Sequence, residues 1–99
     1  MIKPGARYRS QVCATEVIVV RPADIDLMCG GHAMLGLGDE PTSGLDLAPD
    51  LAGGSLLGKR YTNGEGTLEL LVTKAGEGTL ADGETPLTLK ETRALPASD

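Results

Sequence analysis

Thr15-Glu16-Val17-Ile18-Val19-Val20-Arg21, stopped by Pro22, is the stretch on which the fold class turns. β-branched residues crowd it, and their stiff side chains suit a pleated strand better than a helix. Thr67-Leu68-Glu69-Leu70-Leu71-Val72-Thr73 reads the same way and runs out into Gly76 and Gly78. Shorter strands are predicted at Asp26-Leu27-Met28, Thr79-Leu80-Ala81 and Pro86-Leu87-Thr88-Leu89-Lys90. Elsewhere Gly or Pro interrupts the chain, and no window of about 11 residues carries the apolar period of a helix. The expected fold is all-β.

The two long strands belong to two similar stretches. Displacing the sequence by 53 residues lays Gly5-Ala6-Arg7-Tyr8 on Gly58-Lys59-Arg60-Tyr61, Glu16 on Glu69, Val19 on Val72, Leu27 on Leu80 and Gly30 on Gly83. These are seven identities in 30 ungapped positions, where chance gives about two. A tandem duplication is the reading: residues 5–35 as a first β-hairpin repeat, residues 36–57 as a Gly/Pro/Asp-rich connecting loop, and residues 58–90 as a second repeat without Cys. A unit of about 30 residues is too small to bury a core alone. The whole chain, 1–99, is therefore expected to form one domain, a small pseudo-twofold barrel or sandwich whose halves share a core. The last residues, 95–99, are expected to fray.

Composition narrows the function. The chain has 14 acidic and 9 basic side chains, a formal charge of −5, so it lacks the clustered cations that nucleic-acid binding requires. No apolar run approaches the roughly 20 residues of a membrane span. Met1-Ile2-Lys3-Pro4-Gly5 has no signal-peptide pattern, and a cytoplasmic protein with reduced thiols is expected. There is no Phe or Trp, so Val, Leu, Ile and Met must build the core. So thin a core in so small a chain calls for a metal, a disulfide or a partner subunit as a staple.

Cys13 and Cys29 both lie in the first repeat. Tyr8-Arg9-Ser10-Gln11-Val12-Cys13-Ala14, then Val17 and Val19, then Leu27-Met28-Cys29-Gly30-Gly31-His32-Ala33-Met34 resembles the desulforedoxin family, whose module also forms the N-terminal domain of some superoxide reductases. The family reads Tyr-x-Cys-x-x-Cys-Gly, an apolar strand, then Leu-x-Cys-Cys-Gly-x-x-Met. The resemblance implies a small β-rich scaffold that pairs about a twofold axis and a tetrahedral four-Cys iron site. It covers residues 5–35, and residues 58–90 in strand pattern only. Two of the four ligand positions keep Cys, at Cys13 and Cys29; Ser10 and Gly30 stand at the other two. The second repeat holds Asn63, Gly66, Asp82 and Gly83 there.

Three readings of the thiols follow. Cys13, Cys29 and His32 could ligate one zinc, iron or copper ion with a fourth ligand from elsewhere. They could be buried, reduced relics of a lost site, with no metal. Or the sulfurs could lie close enough for a redox-responsive disulfide. No catalytic residues are assigned, because a Cys–His nucleophile also needs an orienting group and a pocket. Asp39-Glu40-Pro41-Thr42-Ser43-Gly44-Leu45-Asp46 matches a string of ATP-binding-cassette ATPases, but without a Gly-x-x-x-x-Gly-Lys-Ser/Thr phosphate loop it reads as an acidic loop. Gly76-Glu77-Gly78 reads as a turn. The expected function is a non-catalytic accessory or binding protein acting through a protein partner or as a homo-oligomer. The alternative is a metal-binding protein using Cys13, Cys29 and His32.

Overall fold

A computed structural model describes residues 3–40 and 44–90. Pro41, Thr42 and Ser43 of the acidic string and the tail at 95–99 lie outside the described residues. The described residues form ten strands: β1 (Arg7–Arg9), β2 (Glu16–Arg21), β3 (Leu27–Cys29), β4 (His32–Ala33), β5 (Leu35–Gly36), β6 (Arg60–Thr62), β7 (Glu69–Lys74), β8 (Leu80–Asp82), β9 (Thr85–Pro86) and β10 (Thr88–Leu89). A single 3-10 turn, Pro49–Leu51, is the only helical element among the described residues, none of which forms a helix long and apolar enough to cross a membrane. The fold is all-β.

The strands form two antiparallel sheets, one in the order β10-β6-β7-β2-β1-β5 and one in the order β4-β3-β8-β9. Along β2 and β7 the period of two places Val17, Val19, Leu70 and Val72 on the inner face. Leu27, Cys29 and Leu80 face them from the second sheet, and Leu68, Met34, Leu87 and Tyr61 close the cluster. Each fully buried Val or Leu contributes about 1.5–3 kcal/mol, which lets a core without Phe or Trp cohere. The Tyr61 hydroxyl ends at the surface of this cluster and accepts the Leu56 N–H at 3.0 Å. Glu69 is also buried, and its carboxylate receives Arg60 Nη1 at 2.8 Å and Lys90 Nζ. The Lys90 hydrogen bond, set against burial and joined by Arg60, holds Glu69 below the usual carboxylate range.

The stretch Pro86 to Lys90 is not the single strand the sequence suggested. It breaks at Leu87 into β9 and β10, which belong to different sheets. Leu87 turns into the core, and its N–H donates to Leu80 O at 2.8 Å. Met34 makes the same crossing between β4 and β5, donating to Leu27 O at 3.0 Å. A buried side chain at the crossing lets a short hairpin arm serve both sheets.

Every strand of residues 7–36 has a counterpart of equal length displaced by 53 residues. Tyr8 pairs with Val17 and Gly36, and Tyr61 pairs with Leu70 and Leu89. At the centre of each sheet, Ile18 faces Leu71 and Met28 faces Ala81, so each of these residues is paired with its own counterpart. The central contacts β2·β7 and β3·β8 thus run between the two parts of the chain, and the core lies between them.

Candidate functional site

The site begins in the turn joining β1 to β2. Ser10 Oγ accepts the N–H groups of Val12 and Cys13, both at 3.1 Å, and Ser10 N–H donates to Thr15 O at 2.9 Å. A Ser side chain that replaces two missing backbone partners tightens a turn in this way, and here it swings Cys13 toward β3. Cys29 is the last residue of β3, on the inward side of the alternation. Gly30 and Gly31, at φ +64° and +93°, form the two-residue turn into β4, a backbone that Gly adopts without strain. The result is a pair of free thiols with Sγ atoms 3.8 Å apart, Cys13 half-buried and Cys29 with no exposed surface.

The loop between β7 and β8 lies over these sulfurs. Gly78 N–H donates to Cys13 Sγ at 3.3 Å. A Cβ at Gly78 would stand 2.8 Å from Cys29 Sγ and 3.1 Å from Cys13 Sγ; a Cβ at Gly76 would overlap the hydroxyl and backbone nitrogen of Thr15. At Gly76 and Gly78, only a residue without a side chain fits. Ser55, also buried, fixes the loop by donating from Oγ to Gly78 O at 2.6 Å and from N to Gly76 O at 2.9 Å.

The two sulfurs sit in opposite electrostatic settings. Burial pushes the Cys13 thiol up, but donors from Ser10, Thr15 and Gly78 outweigh it and lower its pKa from 9.0 to about 7. The neutral thiol donates to Thr15 Oγ1 at 3.2 Å; once the sulfur is ionised, that hydroxyl reverses and donates to it. Burial first, and the nearby Cys13 charge second, push Cys29 up to about 12. One thiol is half ionised near neutral pH and the other stays protonated.

His32 does not join them. Its Nε2 is hydrogen-bonded to Asp46 O at 2.9 Å, on the chain segment leading to the 3-10 turn. That segment straps the Cys29 turn: Ala48 N–H donates to Gly30 O at 2.9 Å, and Thr79 N–H donates to Leu51 O at 2.7 Å. Among the described residues no group of three His, Cys, Asp or Glu side chains is placed to hold one metal ion. The four-thiolate iron site implied by the family resemblance does not fit this donor set. Ser10 Oγ is already accepting two N–H bonds, and Gly30 offers no side chain.

Comparison with known proteins finds no match. No family model, no curated protein and no solved structure matches the chain.

Both sulfurs are visible in the sequence, but what surrounds them is not. In sequence Ser10 only stands at a ligand position, Thr15 starts a strand, and Gly76 and Gly78 make a turn. Ser55 carried no sequence signal. The one available hint was the Gly-x-Gly spacing, which permits close backbone approach.

Proposed function

We propose that the protein is a non-catalytic, redox-responsive accessory protein on a desulforedoxin-like scaffold. In this reading two ligand positions of a former metal site serve as a dithiol, and Cys13 and Cys29 close to a disulfide when the surroundings oxidise. The two-copy reading is part of the proposal, and the register that sets Ile18 against Leu71 and Met28 against Ala81 supports it. The observation that carries the function is the 3.8 Å contact between the sulfurs. Closing to a bond of about 2 Å brings the two sulfurs nearer by about 1.8 Å. The protein then acts through a partner that distinguishes the two states, with no nucleic acid and no membrane involved.

Treatment of the reduced protein with diamide tests this. The expected product is a monomer lighter by two hydrogens, restored by dithiothreitol and absent in Cys13→Ser and Cys29→Ser. A protein that keeps both thiols under excess diamide refutes the dithiol. Stoichiometric zinc, iron or copper in the purified protein, lost on Cys13→Ser, decides instead for metal binding through Cys13, Cys29 and His32.

A further inference from the structure

The dithiol is asymmetric in access as well as in bonding. Cys29 has no exposed surface, so an incoming reagent meets Cys13 alone. Cys13 Sγ is held by the Gly78 N–H and the Thr15 hydroxyl, donors that favour a thiolate over a thiol. The Gly76–Gly78 loop packs closely against it: a Cβ at Gly76 would stand 3.0 Å, and one at Gly78 3.1 Å, from Cys13 Sγ. Cys13 is half-buried, so a slender disulfide needs less clearance to reach its sulfur than a bulky one. Cys29 Sγ waits 3.8 Å away on the buried side.

We propose that Cys13 is the attacking thiol and Cys29 the resolving thiol in exchange with low-molecular-weight disulfides, of which glutathione disulfide is the probe. The proposal rests on the dithiol reading above and adds an order of events and a substrate class. Cys13 thiolate attacks one sulfur of the disulfide; the substrate S–S bond breaks, and one thiolate leaves and takes a proton from solvent. Cys29 then gives up its proton to solvent and attacks Cys13 Sγ. The mixed disulfide breaks and the second thiolate leaves, again protonated by solvent. Two electrons pass from the protein dithiol to the substrate, giving one protein disulfide and two small thiols. Loss of the Cys13 negative charge in the mixed disulfide removes an influence, second to burial, that keeps Cys29 protonated, and so readies the second step.

The test follows intact mass after mixing the reduced full-length protein with glutathione disulfide. Cys29→Ser is expected to accumulate a single stable glutathionyl adduct. Cys13→Ser is expected to form an adduct at least about tenfold more slowly. The unaltered protein should pass through the adduct to an internal disulfide and release two thiols. An adduct on Cys13→Ser as fast as on Cys29→Ser overturns the order. An unaltered protein that stops at the adduct overturns the resolving role. Diamide separates the two levels: an internal disulfide formed with diamide while glutathione disulfide gives the wrong pattern leaves the dithiol standing and rejects only the roles. Should either variant not fold, iodoacetamide mapping on the unaltered protein reads the same asymmetry. Cys13 should be labelled at least about tenfold faster than Cys29, and equal labelling rejects the assignment.

Discussion

At the scale of single residues, two identical side chains become different reagents because of what touches them. Iodoacetamide labelling of Cys13 in the folded protein should rise with pH through a midpoint of about 7, while Cys29 stays silent across the same range because burial holds it protonated up to about 12. Stability follows with a definite sign. Cys13 is depressed on folding, so its contribution is in place above the ordinary 9.0 and is lost as pH falls through about 7. Cys29 is raised, so the folded protein keeps a proton that the unfolded chain releases near 9.0, and stability falls from there to about 12. Urea midpoints of the unaltered protein minus those of a Cys13→Ser, Cys29→Ser double variant should therefore climb from pH 7 to a maximum near pH 9.0 and then decline. A flat difference curve would show that the two thiols do not differ. None of this could be read from sequence, where Cys13 and Cys29 are two letters of equal standing. Neither the donors of Thr15 and Gly78 nor the loss of solvent at Cys29 exists until the turns are formed.

At the scale of elements, the two long β-branched and apolar strands were legible. Glu16–Arg21 buries Val17 and Val19, and Glu69–Lys74 buries Leu70 and Val72, on the inner face. The single strand expected from Pro86 to Lys90 is two strands, because apolar and β-branched character looks the same whether a chain stays in one sheet or crosses between two. The β7–β8 loop was read as a turn, because the sulfurs it meets come from the other end of the sequence. Its glycines make a specific prediction. Gly76→Ala drives a methyl group into backbone and hydroxyl atoms of Thr15, and Gly78→Ala drives one between two sulfurs. Each should cost about 1–3 kcal/mol in denaturant unfolding, and Gly78→Ala should also move the Cys13 labelling midpoint back up, since a displaced loop no longer brings its N–H to the sulfur. Gly64→Ala, with nothing within 4 Å of the new methyl, should stay within about 0.5 kcal/mol. Similar losses at all three positions would refute the account of the loop.

At the scale of the whole molecule, both sheets of the described residues draw strands from both halves. β1, β2 and β5 share a sheet with β6, β7 and β10, and β3 and β4 share the other with β8 and β9. Val17 and Val19 share one core cluster with Leu68, Leu70, Val72, Leu80 and Leu87 of the other half. A fragment of residues 1–57 should accordingly show no β-sheet circular dichroism alone and gain it on mixing with residues 58–99; a fragment that folds unaided would contradict the shared core. The internal similarity at a spacing of 53 residues made the sharing foreseeable. It did not foretell that the second half, which has no sulfur of its own, would supply the wall against which the first half's sulfurs rest. That wall has a further meaning. A chain that has not assembled carries two interchangeable thiols, whereas the finished molecule carries one quick and one silent, so the ratio of their reactivities is a stamp of nativeness that the protein prints on itself.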